Sequence, residues 1–118
     1  MRGMVQMEAQ PKIGKTTVEP QVLETIARLT TLAVPGVVRM ASSPGMRHLL
    51  RQDGVEIEVV GSSVRVKLYV VTESHVSMLG VGRQIQAEVT RAIQDMVGME
   101  VESVDVHIED VAYPSEST

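Results

Sequence analysis

The chain contains no cysteine, no phenylalanine and no tryptophan among its 118 residues. The absence of cysteine excludes disulfide bonds, thiolate zinc sites, iron–sulfur clusters and a cysteine nucleophile. Aromatic residues make up 2% of the chain, whereas 43% of it is hydrophobic. The single core expected at this length must therefore be built from Val, Ile, Leu, Ala and Met, which suits β-branched strands packed under aliphatic helices.

Four kinds of segment are also missing from the sequence. Residues 1–15 lack the apolar stretch and the small-residue cleavage site of a secretion signal, and no apolar run approaches the roughly 18 residues of a membrane span. The net charge is −4, and Lys and Arg are scattered along the chain. No basic stripe for nucleic acid and no basic cluster for an anionic membrane is present. These features predict a cytoplasmic protein with no nucleic-acid partner and no direct membrane insertion.

The apolar periodicity predicts a two-layer α+β fold in the order βαβββαβ, with two amphipathic helices on one face of an antiparallel or mixed sheet. We expect the domain at 12–111, between a flexible N-terminal segment at 1–11 and a flexible tail at 112–118. A first strand is predicted at 12–19. Pro20 then begins a helix, which Pro35 and Gly36 end before the next strand. The apolar face predicted for this helix consists of Val22, Leu23, Ile26, Leu29, Leu32 and Ala33.

A hairpin is predicted around the two-residue Gly-Ser loop at positions 61 and 62. Its buried face is predicted to consist of three apolar cross-strand pairs: Val59 with Val64, Ile57 with Val66, and Val55 with Leu68. The same register sets Glu58 opposite Arg65 and Glu56 opposite Lys67 on the other face. Hydrophobic alternation and charge complementarity therefore indicate the same register independently.

The second helix is predicted to begin near Ser77 and to end at Gly98, before the last strand. Its predicted apolar face consists of Val81, Ile85, Val89, Ala92, Ile93 and Met96. In the last strand, alternation directs one set of side chains inward, namely Val101, Val104, Val106 and Ile108. The opposite set points outward, namely Asp105, His107 and Glu109.

These residues do not form a recognisable catalytic set. Asp105, His107 and Glu109 share one strand face and could ligate a divalent metal, but a solvated strand face is favoured because metal sites usually draw ligands from several elements. His75 lies near a strand-to-helix turn and His48 in a loop, and neither accompanies a recognisable serine nucleophile. We therefore expect no catalytic residues, no bound metal and no cofactor.

Five residues form a candidate interaction surface. Gly80, Gly82 and Arg83 stand at the start of the second helix in a GVGR sequence, which lacks the third glycine of a dinucleotide-binding turn. A glycine-loosened first turn or close helix packing is favoured there over capture of an anion. Tyr69 and Val71 fall on the outward face of the hairpin strand, where we expect them to be exposed. Self-association through this face or through a sheet edge follows as a hypothesis.

Three blocks of the chain read PQVLETIARLTTLAVPGVVRM, GVEIEVVGSSVRVKLYVV and IQAEVTRAIQDMVGMEVESVDVHIEDV. Together they resemble the alkaline shock protein family, also called the envelope stress response family of bacteria, and the resemblance spans residues 12–111. It implies a non-enzymatic assembly or scaffold protein of the cell-envelope or alkaline stress response. It also implies a homo-oligomer that is cytoplasmic and held peripherally at the membrane by a separate anchoring protein. The family has no established catalytic residues, so none is carried over to this chain.

An alternative class is a small-ligand or nucleic-acid-binding regulatory module, because small sheets backed by two helices often bind RNA. The acidic net charge and the lack of surface aromatic residues argue against it. The sequence therefore favours assembly over ligand binding.

Overall fold

Two helices and four strands make up residues 16–41 and 53–113, which are the part of the chain that the computed structural model describes. In chain order they are α1 (Pro20–Leu32), β1 (Val37–Met40), β2 (Val55–Val60), β3 (Ser63–Glu73), α2 (Met78–Val97) and β4 (Glu100–Ala112). This confirms the α+β prediction and the last six elements of its order. Of the predicted first strand, residues 16–19 precede α1 without forming a strand. The predicted tail was 112–118, but Ala112 is the last residue of β4. Residues 1–15, which include the predicted N-terminal segment at 1–11, residues 114–118 of the predicted tail, and the loop at 42–52 with His48 lie outside the described residues.

The sheet is organised around β3. β4 runs parallel to β3 along its whole length, while β2 pairs antiparallel with the first part of β3 and β1 antiparallel with the last part. β4 occupies one edge of β3, and β2 and β1 share the other edge. The sheet is mixed because it contains both parallel and antiparallel pairs. The change of partner falls at Tyr69, whose N–H donates to the Gly54 carbonyl at 2.9 Å and whose carbonyl accepts the Ala41 N–H at 2.7 Å.

The β2–β3 hairpin has the register that the sequence predicts. All three apolar pairs and both charged pairs are observed as Cα partners. Gly61 occupies the first loop position at a φ of 63°, which a residue without Cβ adopts at little cost. The prediction that Val59 is buried is wrong, because Val59 and Val60 are exposed and the covered face stops before the tip of the hairpin.

The helices cover one face of the sheet, and an aliphatic core lies between the layers. The core-facing row of β3 is completely buried and consists of Val64, Val66, Leu68 and Val70. The buried face of α2 consists of Val81, Ile85, Val89 and Ile93, as predicted. Met96 was also expected there, but it is 70% exposed because Val97 packs against the core in this last turn. Ser77 and Gly98 cap α2 at the two predicted ends.

The buried face of α1 differs from the predicted one. The helix buries Leu23, Ala27 and Thr31, and Thr31 is tolerated there because its hydroxyl donates to the Ala27 carbonyl at 2.7 Å. Val22, Leu29 and Leu32 belong to the predicted apolar face, yet they are exposed in the structure; Ala33 follows the end of the helix and is exposed as well. A pattern of apolar residues alone cannot identify a core position that is filled by a threonine.

Strand β4 keeps its predicted inward and outward sets with the help of two register shifts. Glu102 and Glu109 are the extra residues that β4 inserts at these two shifts in its pairing with β3. The first shift allows Val101 and Val104, three positions apart, to pack against the same core. Asp105, His107 and Glu109 are exposed, as the alternation predicts.

Candidate functional site

The five residues of the predicted interaction surface lie on opposite layers of the fold. Tyr69 and Val71 are on the outer face of the sheet, whereas Gly80, Gly82 and Arg83 are in the first turns of α2. The expectation that Tyr69 and Val71 are exposed is wrong, since they are 8% and 3% exposed. They form a second apolar cluster on the outer face with Ala41, Ala112 and the partly buried Val38.

Tyr69 is held from both neighbouring strands. Its ring stacks on His107 of β4, with centroids 4.7 Å apart and planes 12° from parallel. Its hydroxyl donates to the Glu56 carboxylate of β2 at 3.2 Å. These contacts give Tyr69 a structural role that alternation within one strand could not reveal, because His107 lies 38 positions further along the chain.

Arg65 is the centre of a charge network on the outer face. Its guanidinium donates to Glu102 and, at 3.2 Å, to Glu58. The hydrogen bond with Glu102 first, and then that with Glu58, raises the pKa of Arg65 above its ordinary value. The Glu58 pair is predictable from the hairpin register, but the Glu102 pair depends on the register shift in β4. All three side chains are well exposed, so the network adds little to stability.

The start of α2 is a capped helix end. Ser77 precedes the helix with an extended backbone, and its hydroxyl oxygen accepts the Gly80 N–H at 3.0 Å. One of the N–H groups that could bind an anion is thus already engaged. A methyl group on Gly82 would meet nothing within 4 Å, so close packing does not explain this glycine. Arg83 is exposed on the following turn.

Among the described residues, those considered for metal binding or catalysis do not converge. Within 16–41 and 53–113, no three His, Asp or Glu side chains form a group that could hold a metal ion. His75 Nε2 lies 3.1 Å from a Glu73 carboxylate oxygen, and both side chains are largely exposed. An open depression of about 230 Å³ is lined by residues of β2, β3 and β4, with Glu56, Arg65 and Asp105 among them, and by Glu24 of α1. Its acidic and basic groups lie across strands from each other.

The surface that sequence reasoning missed is on α1. Val22, Leu29 and Leu32 are 47%, 57% and 40% exposed, and we refer to these three residues as the α1 outer stripe. Their spacing of seven and three residues places them on one side of the helix. The sequence does hint at this surface, since α1 carries more apolar residues than a single core-facing stripe needs. Which of them face the core depends on the positions of the sheet and of α2.

Comparison with known proteins identifies the family of the chain. The model of the alkaline shock protein 23 family, described as having a cell envelope-related function, matches residues 8–113. The chain therefore belongs to this family, as the three sequence blocks predict. None of the helices formed by residues 16–41 and 53–113 is long and apolar enough to cross a membrane.

Relatives align over most of their length. The uncharacterized protein Spy1535 of Streptococcus pyogenes serotype M6 is 31% identical, covering 84% of this chain and 80% of its own. The uncharacterized protein YloU of Bacillus subtilis strain 168 is 22% identical, covering 89% and 94%. Among solved structures, the MamM CTD is similar with a TM-score of 0.52 at 14% identity, covering 78% of this chain and 99% of that one. At that identity the likeness establishes the fold alone.

Proposed function

We propose that this chain is a non-enzymatic assembly module of the bacterial cell envelope, which acts by self-association and by binding a membrane-anchored protein. The cell envelope-related function of the family supports the cellular setting. The exposed α1 outer stripe carries the proposal at the level of the structure. The protein would perform its function through contacts, not through a reacting group.

The α1 outer stripe is suited to burial against another protein. Single exposed apolar residues are common, but Val22, Leu29 and Leu32 repeat along one side of a helix of 13 residues. Thr25 and the partly buried Ile26 lie between them, so no charged residue interrupts the stripe. Extended apolar strips of this kind mark interaction surfaces on soluble domains.

A second copy of the chain is the occupant that we assign to the stripe. In a twofold contact the same surface meets itself, so its chemistry must be self-complementary. The chain carries a net charge of −4, which opposes association in general, whereas the stripe contributes no charge to the repulsion. An uncharged apolar stripe is therefore a surface of this acidic protein that can pack against its own copy without charge repulsion.

Sedimentation velocity of the full chain over a range of concentrations tests self-association. We expect Leu29→Glu to weaken association at least about tenfold, because it buries a carboxylate in the contact, while stability in urea changes by no more than about 0.5 kcal/mol. Met96→Glu is the matched control, since it places the same charge on a more exposed apolar residue of the other helix. A chain that stays monomeric at high concentration contradicts the proposal, and a Leu29→Glu variant that associates like its parent contradicts the assignment of the stripe to a second copy.

Affinity capture from native cells tests the membrane-anchored partner. Soluble and membrane fractions are kept apart, and we expect the chain to be recovered from the membrane fraction together with an integral membrane protein. Recovery only from the soluble fraction and without a partner would contradict the proposed membrane-anchored partner. Self-association would still be decided by the sedimentation experiment.

A further inference from the structure

Within the described part of the chain, the edge of β4 that faces away from β3 is a long strand edge with no strand paired to it. β4 has 13 residues, and among the residues that the structure describes it pairs with β3 alone. Such an edge presents backbone N–H and C=O groups to any strand that can align with it. The edge is therefore a site for pairing with another chain.

Burial beside this edge is incomplete. The core-facing row of β3 is fully buried, whereas Val106 and Ile108 of β4 are only partly buried on the same face. Helix α2 thus leaves part of the apolar row of β4 open. A strand added along this edge would cover these side chains and pair the backbone in a single step.

We propose that two copies of the chain pair antiparallel through their β4 strands, around a twofold axis at Val106. This rests on the proposed function, since it names a surface and a register for the self-association. It adds an interface that is separate from the α1 outer stripe, because β4 belongs to the sheet layer.

The position of the axis follows from the two register shifts of β4. Glu102 and Glu109 interrupt the strand, so 103–108 is the longest regular stretch. An axis between two residues would oppose Asp105 to Val106, setting a charge against an apolar side chain. Among axes on a residue, those at Asp105 and Val106 keep a regular ladder of five residues, whereas axes elsewhere shorten it.

Charge decides between the two remaining axes. With the axis at Asp105, this carboxylate would face its own copy, and like charges directly opposite are destabilising. With the axis at Val106, Asp105 faces His107 of the second copy on both sides, and Val104 faces Ile108. His107 is held in place by its stack on Tyr69. The Asp105–His107 pairs then lie on the outer face of the joined sheet, and the Val104–Ile108 pairs lie on its core face.

The neighbouring groups are compatible with this pairing. Lys67 is the β3 partner of Asp105 in the sheet, and Arg65 binds Glu102, so two of the five acidic residues of β4 lie beside a cation of the same copy. Gln86 of α2 donates to the Val104 carbonyl at 3.0 Å. A carbonyl oxygen has a second lone pair, so this bond leaves the acceptor available to a partner strand.

Cysteine cross-linking in this cysteine-free chain tests the axis directly. At the axis Val106 faces itself, and antiparallel partners have Cα atoms about 4.5–5.5 Å apart, within the range of a disulfide. We expect Val106→Cys to form a covalent dimer under mild oxidation at least about fivefold more than Asp105→Cys or His107→Cys alone. A mixture of the last two variants should cross-link with each other, because those positions face each other across the axis.

Charge exchange provides a second test that leaves Val106 in place. Asp105→His or His107→Asp alone sets like side chains opposite each other, and we expect dimerisation to weaken about tenfold. Combining both substitutions restores the opposite pairs and should restore dimerisation, while Asp95→His on the exposed side of α2 serves as the control.

The outcomes separate this inference from the proposed function. Self-association without preferential cross-linking at position 106, or without rescue in the combined variant, overturns the β4 pairing and leaves the assembly role standing. A chain that is monomeric at every concentration overturns both.

Discussion

Substitution of Gly54 tests the close packing of the strands at the point where β3 changes partner. It is buried next to the point where β3 changes partner from β2 to β1, and its φ is 77°. A Cβ atom on this residue would lie 2.8 Å from the Tyr69 carbonyl oxygen and 2.9 Å from the Ala41 carbonyl oxygen. Because both obstacles are backbone atoms, they can move only by displacing the strands.

The cost of Gly54→Ala has two parts. The left-handed backbone costs a residue with Cβ about 1–2 kcal/mol. Displacing the strands also loosens the hydrogen bonds from Tyr69 N–H to the Gly54 carbonyl and from Ala41 N–H to the Tyr69 carbonyl. At about 0.5–1.5 kcal/mol for each bond, the free energy of unfolding should fall by roughly 2–5 kcal/mol in total.

Gly61→Ala is the matched control, since Gly61 has a φ of 63° and a Cβ there would meet nothing within 4 Å. It should show only the backbone part of the cost, about 1–2 kcal/mol. Urea unfolding followed by far-UV circular dichroism measures both variants, because the chain has no tryptophan for fluorescence. Equal losses in the two variants would refute the proposed steric role of Gly54.

Two further substitutions test individual contacts by the same urea assay. Thr72 is fully buried, and its hydroxyl has no hydrogen-bond partner among the residues that the structure describes. Thr72→Val should therefore stabilise the protein by about 1 kcal/mol, whereas Thr31→Val should not, because the Thr31 hydroxyl is hydrogen-bonded. Equal effects of the two substitutions would contradict this reasoning. Gly82→Ala should stabilise α2 by up to about 1 kcal/mol. Gly80→Ala should gain less, because its Cβ would lie 3.3 Å from the Ser77 hydroxyl, and an equal gain would argue against that contact.

The elements that the sequence predicts best are those whose determinants are close together in the chain. The hairpin register depends on a two-residue loop and on charges such as Glu58 and Arg65, which are seven positions apart. The ends of α2 depend on Ser77 and Gly98, each adjacent to the helix. Local chemistry is sufficient for these features, because the interacting groups meet as soon as the turn or the cap forms.

Features that depend on distant neighbours were less predictable. Tyr69 alternates outward, as expected, but it is buried because His107 of β4 and Glu56 of β2 hold it from both sides. Arg65 meets Glu102 only because β4 lies parallel to β3 and has an extra residue there. Neither contact follows from the period of a single strand.

An aliphatic core, the hairpin register, the caps of α2 and membership of the family all follow from the amino-acid sequence alone. The tertiary structure decided which stripe of α1 faces the core and which remains exposed, because that choice depends on the positions of β2 and α2 around the helix. It also decided that Tyr69 and Val71 are buried, while the far edge of β4 is unpaired within the described part of the chain. Periodicity defines the faces of an element, but only packing against the other elements determines which face is covered.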